Sequence, residues 1–347
     1  MGDYENYTDY NETSDCDDES KVMESFNTMF LPAFYSVIFL LGLTGNGLMI
    51  TVLLRRRRLR ITEIYLLHLA LADLLLLFTL PFDVVEIFAG WVFGELLCIV
   101  KGLIKNLNIF SGSFLLACIG FDRYLAIVHA IPSMQTRRPR TVHLTCFSLW
   151  LVCLLLSLPN AAFLSVRDPA NTSALECYYF RFDVNAHNWV MANRILHHVC
   201  FFYCLAVMCY CYTALVITLS RSHKSQIKKG AVRLAALVTL VFCVCWLPYN
   251  ITSLVQTLAE LELMRYDSCK SFTYLFQAIA VTESLGVSHC CLNPFLYAFV
   301  GVQFRSDLIY LLCQLGCSRI CLPFIRVGSH SRVSISEGTT SNSNFNN

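Results

Sequence analysis

Three adjacent polar side chains end a long apolar segment that begins near Cys98. In the stretch FDRYLAIVHA (residues 121–130), Asp122, Arg123 and Tyr124 place an acid, a base and a phenol side by side. Charged groups in or near hydrocarbon are costly, so they are usually paired and often mark function. Two interpretations follow. Either Arg123 ends a helix and extends its charge to lipid headgroups, or the three residues form a functional switch.

A second polar cluster is predicted around Asp73, in the apolar stretch LALADLLLLF. A carboxylate there must be paired, protonated or bound to a cation. Asn108, His289 and Asn293 lie in other apolar stretches and are candidates to converge on it. A cluster of oxygen ligands suits Na⁺ or a buried water network, whereas the alternative is hydrogen bonding that holds helices together. The cost of burying a carboxylate favours the functional interpretation.

A third polar set lies toward the opposite ends of the apolar stretches. It contains one tyrosine, one lysine and three carboxylates: Tyr35, Asp83, Glu86, Lys105 and Glu283. On a shared pocket wall, the surplus negative charge would attract a basic ligand. The alternative is that Glu86 and Glu283 face water near the membrane surface.

Prolines mark three positions where helices are expected to bend. The segments Thr79-Leu80-Pro81, Cys245-Trp246-Leu247-Pro248 and Asn293-Pro294-Phe295-Leu296-Tyr297 each place proline inside an apolar stretch. Proline removes one backbone hydrogen bond there. Bent helices supply hinges with two arrangements, although packing alone also explains any one of these prolines.

The polar groups described above are expected to lie on membrane helices. The chain has 347 residues, of which 56% are hydrophobic and 14% charged, which is not a soluble composition. A bilayer core needs about 20 apolar residues as helix. Seven stretches meet this length: residues 31–54, 64–89, 98–128, 142–164, 190–220, 230–258 and 271–300. The expected fold is an all-α membrane protein, a seven-transmembrane helix bundle.

Basic loops orient this bundle. Arginines and lysines cluster after the first, third and fifth stretches, so these loops and the C-terminus are expected to be cytoplasmic. The N-terminus is expected outside, without a cleavable signal peptide. Glycosylation motifs at Asn6, Asn11 and Asn171 agree with this orientation. A fourth motif, at Asn250, lies in an apolar stretch and is expected to be buried.

Residues 1–30 are expected to form an acidic extracellular arm. The first 25 residues hold nine acidic residues against one lysine, and Tyr4, Tyr7 and Tyr10 alternate with the acids. Acidic surroundings favour tyrosine sulfation in an exported segment. Such segments are usually just solvated and disordered, but beside a disulfide-capable outer face this arm is expected to capture a basic protein by charge.

A short helix and a tail are expected after the bundle, which spans residues 31–301. Residues 302–317 carry an apolar face at helical spacing and are predicted to form an amphipathic helix in the membrane interface. Cys313 and Cys317 are candidates for palmitoylation, with ordinary membrane-edge thiols as the alternative. Residues 318–347 are rich in Ser, Thr, Gly and Asn and are expected to be a disordered cytoplasmic tail with phosphorylation sites.

Most of the 18 cysteines lie in apolar stretches, where a thiol behaves as a small apolar group. Four lie in or beside outer polar segments and allow three pairings: Cys16, Cys98, Cys177 and Cys269. No structural zinc site, cofactor other than Na⁺ or nucleic-acid partner is expected. No nucleophile, base and orienting group share a motif, and no internal repeats are visible, which argues against an enzyme and a transporter.

The ordered set of motifs resembles that of the rhodopsin-like G-protein-coupled receptors. The matching residues are Asn46 in GLTGNG, Asp73, Cys98, Cys177, Asp122-Arg123-Tyr124, Trp150, Cys245-Trp246-x-Pro248 and Asn293-Pro294-x-x-Tyr297. Within that family, DRYLAIVHA, Thr79-x-Pro81, Trp91-x-Phe93-Gly94 and HCCLNPFLYAFVGVQFR (residues 289–305) are similar to chemokine receptors. They look most like the CXC subfamily, type 3 first and type 5 next. The resemblance covers about residues 16–317.

This resemblance implies roles on the outer face. Cys98 would pair with Cys177, and Cys16 with Cys269. The acidic arm would bind the body of a CXC chemokine, whose N-terminus would enter a pocket above Trp246. The residues expected around that pocket are Tyr35, Asp83, Glu86, Trp91, Lys105 and Glu283.

On the inner face, the resemblance implies that Arg123 pairs with Asp122 at rest. Outward movement of the sixth helix would free Arg123 for an inhibitory-class heterotrimeric G protein, with Tyr212 and Tyr297 packed nearby. The residues expected to transmit ligand binding are Trp246, Pro248, Asn293 and Pro294. Arrestin and receptor kinases would act through the tail of a plasma-membrane receptor in leukocyte chemotaxis and immune response.

One departure from the family pattern bears on signalling. The family usually has proline in the middle of the fifth helix, where this chain has Cys204 in FFYCLAVMCYCY. We therefore expect that helix to lack a bulge. Together with the unusual Lys105, this leaves an alternative: an atypical receptor that internalises chemokine with little G-protein signalling. The intact Asp122-Arg123-Tyr124 argues for signalling.

Overall fold

The computed structural model describes residues 26–129, 139–167, 175–179, 184–221, 226–264, 269–300 and 302–314. Within these ranges, seven helical segments are long and apolar enough to cross a membrane. This confirms the predicted seven-transmembrane bundle.

The spans follow one another in chain order. The first three are α1 (Leu31–Leu54), then α2 (Ile61–Leu77) with α3 (Leu80–Ala89), then α4 (Gly94–Ile127). The last four are α5 (Pro139–Ala162), α6 (Val184–Ser220), α7 (Gln226–Glu260) and α8 (Cys269–Val300), and the short helix α9 (Val302–Gln314) follows them. A π-helical turn, Phe26–Phe30, precedes α1. Between α5 and α6, β1 (Leu164–Arg167) and β2 (Glu176–Tyr179) pair antiparallel.

Proline divides the second span into two helices. Because Pro81 has no N–H, the carbonyl of Leu77 loses its helical donor. The chain bends at residues 78–79, where the Thr79 hydroxyl donates to the Leu76 carbonyl at 2.7 Å. The stretch predicted as one helix over residues 64–89 is therefore α2 and α3, joined at the expected bend.

A second proline creates a contact between α1 and α8. Pro294 leaves the carbonyl of Cys290 without a helical donor, and Asn46 Nδ2 donates to that carbonyl at 2.8 Å. Gly45 allows this close approach, since a Cβ there would lie 2.9 Å from the Pro294 ring. Asn46 and Pro294, which are far apart in sequence, thus belong to one helix-helix contact.

The fifth span contains no break at the position where the family pattern has proline. Cys204 is 2% exposed, and α6 continues through it as regular α-helix. This agrees with the expected lack of a bulge, because cysteine keeps the backbone N–H that proline would remove.

The short helix α9 is attached to the loop that follows α1. Arg56 forms ion pairs with Asp307 of α9, at 2.7 Å, and with Glu63 of α2. Arg55 donates to Gln314 Oε1 at 2.8 Å. These contacts hold α9 against the cytoplasmic end of the bundle.

Candidate ligand pocket and coupling site

A cavity of ≈ 390 Å³ opens at the outer end of the bundle. Residues of α2, α4, α6, α7 and α8 form its walls, and the β1–β2 pair lies at its rim. Cys177 of β2 is bonded to Cys98 of α4, with 5.6 Å between their Cα atoms. The disulfide that the resemblance implies therefore fixes the rim to α4.

Two lysines, rather than one, face the pocket carboxylates. Lys105 Nζ lies 3.4 Å from both Asp83 Oδ1 and Glu283 Oε1. Lys101 Nζ lies 2.9 Å from Asp83 Oδ1 and also contacts Glu86. Sequence reasoning missed Lys101, although residues four apart on a helix share one face. Three carboxylates against two lysines leave an excess of one negative charge, which is smaller than predicted.

The excess charge is most accessible at Glu283. The Asp83 side chain is 9% exposed and is shared by both lysines, whereas the Glu283 side chain is 34% exposed and faces Lys105 at 3.4 Å. Glu283 also lines both the deep cavity and a shallower cleft beside it. Glu283 is therefore the carboxylate best placed to meet a cationic ligand.

Tyr35 and Trp91 take different positions relative to the pocket. Tyr35 lines the shallower cleft, and its hydroxyl lies 3.1 Å from Ser284 Oγ. Trp91 is 1% exposed and lines neither the cavity nor the cleft, so it lies behind the residues that form these two surfaces. Its ring centre lies 4.6 Å from Lys101 Nζ, a cation–π distance, so the ring stabilises the ammonium group of Lys101.

Trp246 forms part of the cavity floor and connects it to α8. Its indole N–H donates to His289 Nδ1 at 3.1 Å. Gly286 of α8 lies against the indole, where a Cβ would approach Trp246 Cε3 to 2.6 Å. The ring can occupy this position only because residue 286 has no side chain.

Gly286→Ala is therefore expected to displace the Trp246 ring and to destabilise the protein. Overpacking a filled core costs about 1–3 kcal/mol, so the midpoint of thermal unfolding of the purified protein should fall. Gly47→Ala is the matched control, because a Cβ at Gly47 would meet nothing within 4 Å. Equal midpoints for the two variants would contradict this packing.

Beneath Trp246, Asp73 of α2 meets three side chains of α8. Asn293 Nδ2 donates to Asp73 Oδ2 at 2.8 Å, and His289 Nε2 lies 3.2 Å from Asp73 Oδ1. The thiol of Cys290 donates to the same Oδ1 at 3.5 Å. The sequence correctly predicted that Asp73, His289 and Asn293 lie together. It did not single out Cys290, because most cysteines of this chain lie in apolar stretches.

Asn108 does not contact the Asp73 carboxylate. Its Nδ2 donates to the carbonyl of Ala72 at 3.1 Å, and its buried Oδ1 has no hydrogen-bond partner in the described part of the chain. Hard cations take oxygen ligands, whereas Asp73 Oδ1 faces a ring nitrogen and a thiol. The buried Oδ1 atoms of Asn108 and Asn293 are the further oxygens that Na⁺ would need, and the expected Na⁺ stays a prediction.

At the cytoplasmic end of α4, Arg123 and Asp122 form an ion pair. Arg123 Nε and Nη2 lie 3.1 and 2.5 Å from Asp122 Oδ2. The side chains of Arg123 and Asp122 are 18% and 11% exposed. Arg123 is thus held within α4 instead of extending toward headgroups.

Tyr124 faces away from this pair. Its hydroxyl lies 3.3 Å from the hydroxyl of Tyr210 on α6 and 2.9 Å from His129 Nε2. Its neighbour in the motif, Arg123, instead contacts Asp122. Tyr124 therefore links α4 to α6, separately from the ion pair.

The two remaining tyrosines of the predicted switch differ in their hydrogen bonding. The hydroxyl of Tyr212 on α6 lies 3.0 Å from Thr239 Oγ1 on α7, so it connects the fifth and sixth spans. The hydroxyl of Tyr297 on α8 is buried and has no hydrogen-bond partner among the described residues. An unpaired buried hydroxyl costs about 1–3 kcal/mol, which favours a second arrangement in which Tyr297 is paired.

Several predicted sites lie outside the described residues: Cys16, Tyr4, Tyr7, Tyr10, Asn6, Asn11, Asn171 and Cys317. Cys313 is a half-buried free thiol of α9. Cys269 is the first residue of α8, and the disulfide predicted for it depends on Cys16. Asn250 is 0% exposed, as expected for a motif that is not glycosylated.

The chain matches the family model "7 transmembrane receptor (rhodopsin family)" over residues 45–297. This match and the seven spans define the class as seven-transmembrane receptors. C-X-C chemokine receptor type 5 of Homo sapiens is 43% identical over 334 residues, which cover 94% of this chain and 89% of that receptor. C-X-C chemokine receptor type 3 of Homo sapiens is 44% identical over 295 residues, which cover 84% and 78%. The chain belongs to the CXC chemokine receptors of the rhodopsin-like G-protein-coupled receptor family.

C-X-C chemokine receptor type 1 of Pongo pygmaeus is also similar, at 42% identity over 295 residues, which cover 84% of this chain and 83% of the relative. Types 3 and 5 are similar to this chain at nearly equal identity, so identity does not rank one above the other. Proteins of this family are multi-pass receptors of the plasma membrane and not enzymes.

Proposed function

We propose that this receptor binds CXC chemokines and transmits the binding to an inhibitory-class heterotrimeric G protein, in leukocyte chemotaxis and immune response. The observation that carries the proposal is the pairing of Arg123 with Asp122 at the cytoplasmic end of α4. A charged cavity opens at the opposite end of the same bundle. The named relatives are CXC chemokine receptors.

Charge supports the binding half of the proposal. The arm of residues 1–30 is strongly acidic, and sulfation of Tyr4, Tyr7 and Tyr10 would make it more so. A basic chemokine body would be attracted to it. The chemokine's N-terminal amine, a cation near neutral pH, would then meet Glu283. A Cys16–Cys269 disulfide would hold the arm beside the cavity.

One face of α8 joins the pocket to the inner half of the bundle. Glu283, Gly286, His289, Asn293 and Tyr297 recur at intervals of three or four residues, so they lie along one side of the helix. This side contacts the pocket lysine, the Trp246 ring and the Asp73 carboxylate in turn. A ligand that displaces the outer end of α8 or Trp246 therefore acts on a continuous row of contacts.

The coupling half depends on movement of α7 at its cytoplasmic end. Proline at position 248 supplies the hinge. The Tyr212–Thr239 hydrogen bond holds α7 to α6 in the present arrangement. Outward movement of α7 would break it and open space for Arg123 to leave Asp122 and meet the G protein. Tyr297 then gains the freedom to pair its hydroxyl.

Glu283→Gln is expected to lower the potency of chemokine signalling by roughly ten-fold or more while chemokine affinity falls less. A hydrogen bond to a charged group contributes about 1.5–3 kcal/mol, whereas the arm supplies most of the attraction. Concentration–response curves for G-protein activation and for ligand binding measure the two effects. Glu95→Gln is the control, since Glu95 is an exposed outer carboxylate that does not line the cavity. An equal change in both variants would count against the pocket role.

The scavenging alternative rests on Cys204 and the uninterrupted α6. A panel of CXC chemokines should be tested for binding, uptake and inhibition of cAMP in cells that express the receptor. Signalling predicts that at least one bound chemokine lowers cAMP. Uptake of ligand without any cAMP or calcium response would instead establish the atypical receptor.

Further partners follow from the cytoplasmic segments. The Ser- and Thr-rich residues 318–347 would be phosphorylated by receptor kinases and then bound by arrestin. Palmitoylation of Cys313 and Cys317 would add to the attachment of α9 to membrane lipid.

A further inference from the structure

We propose that Asp73, His289 and Cys290 bind a divalent transition-metal cation, for which zinc is the best match. The three side chains are each 0% exposed. Their carboxylate, imidazole and thiol groups bring one potential ligand atom each within 4.8 Å of one another. Nitrogen and sulfur ligands select zinc and related metals over the hard cations.

The spacing of the three ligand atoms matches a tetrahedral zinc site. Asp73 Oδ1 lies 3.2 Å from His289 Nε2 and 3.5 Å from Cys290 Sγ, and Sγ lies 3.7 Å from Nε2. Zinc bonds of about 2.0–2.3 Å in tetrahedral geometry place neighbouring ligand atoms roughly 3.3–3.8 Å apart. The cation would therefore fit between the groups with only small movements of their side chains.

Charge also balances at this site. Zinc binding converts the Cys290 thiol to a thiolate and releases its proton to water. The thiolate and the Asp73 carboxylate then neutralise the two positive charges, and the imidazole remains neutral. Buried charges are normally paired or bound to metal, so a neutral site suits this depth.

Asn293 is the candidate for a fourth ligand. Its Nδ2 donates to Asp73 Oδ2 at 2.8 Å, so its amide lies beside the carboxylate. Its Oδ1 is buried and makes no hydrogen bond to any of the described residues. An unpaired buried oxygen is costly, and a cation would satisfy it.

The second ring nitrogen of His289, Nδ1, has the kind of partner that metal-binding histidines usually have. Such histidines usually donate their second ring N–H to a carbonyl or carboxylate, and His289 Nδ1 lies 2.6 Å from the carbonyl of Gly286. Nδ1 can donate to Gly286 or accept from Trp246, but not both. A cation on Nε2 fixes the proton on Nδ1, so Trp246 loses its acceptor. Metal binding would thus change the cavity floor.

Motif reasoning missed this site because its ligands come from two distant helices. Asp73 and Cys290 are separated by 217 residues, whereas zinc motifs are recognised by short local spacings.

Cobalt titration tests the site directly. The full-length receptor, purified in lipid nanodiscs and stripped with a chelator, is titrated with Co²⁺, whose bond to a thiolate gives charge-transfer absorption. We expect one equivalent to bind with that absorption and to be displaced by Zn²⁺. Cys290→Ser should abolish the band and lower zinc affinity by about tenfold or more. Cys291→Ser should preserve both, because its thiol donates to the Ser288 carbonyl instead.

Two outcomes would overturn the metal site. No thiolate band in the parent protein would mean that the three groups form only a hydrogen-bonded cluster, and a band that survives Cys290→Ser would place the metal at other thiols. Zinc should also shift the ¹⁵N-indole resonance of Trp246, assigned by its loss in Trp246→Phe. An unshifted resonance would contradict the proton exchange on His289. Neither experiment uses chemokine or G protein, so their results are independent of the proposed signalling.

Discussion

Arg123→Ala is expected to abolish G-protein activation while surface expression and chemokine binding remain largely intact. The Arg123 guanidinium is paired within α4, to the adjacent Asp122. Among the described residues, its removal therefore breaks no ion pair between helices. The ligand cavity lies at the opposite end of the bundle, floored by Trp246. The loss should consequently appear in coupling and not in assembly.

Chemokine-stimulated nucleotide exchange on an inhibitory-class G protein measures this effect, with antibody labelling and ligand binding on the same cells. Arg57→Ala is the control, since Arg57 is an exposed arginine of the cytoplasmic loop after α1. Retained activation in Arg123→Ala would support the interpretation that Arg123 only marks a helix end. Loss of the protein from the surface would assign Arg123 a structural role.

Replacement of Cys98 or Cys177 with serine is expected to remove chemokine binding and to reduce surface expression strongly. The bond closes a loop across 79 residues, for which chain entropy gives roughly 4–5 kcal/mol in a free chain. The membrane spans already restrict this loop, so the true value is lower. The bond also has a local effect, because β2 carries Cys177 at the cavity rim, where its N–H donates to Glu86 at 3.3 Å.

Flow cytometry and radioligand binding test this prediction. Cys209→Ser is the matched control, because Cys209 is an exposed free thiol of α6. Normal ligand binding by Cys98→Ser would show that the helices alone shape the pocket. The double variant should resemble each single one, since either change removes the same bond.

The number of spans and their bends could be predicted because both depend on local sequence. Twenty apolar residues specify a span, and Pro81 interrupts a helix wherever it lies. The predicted starts were less accurate: α4 begins at Gly94 and not near residue 98. Helix ends extend beyond the apolar stretch, because exposed polar residues such as Glu95 continue the helix.

The direction in which each side chain faces was harder to predict. Lys101 was not predicted to face the pocket, but it forms an ion pair with Asp83. Trp91 was predicted to face the pocket, but it is buried. Cys290 was treated as an apolar thiol, since only the packing of α2 against α8 brings Asp73 to it. Such contacts depend on helix rotation, for which these helices carry little amphipathic signal because lipid and core are both apolar.

The most direct test of the receptor account uses purified protein in lipid nanodiscs with an inhibitory-class heterotrimeric G protein. Nucleotide exchange is measured with and without a CXC chemokine that is shown to bind. Coupling to this G protein predicts that chemokine accelerates exchange and that Arg123→Ala removes the acceleration. Chemokine binding without any acceleration in the parent protein would contradict it.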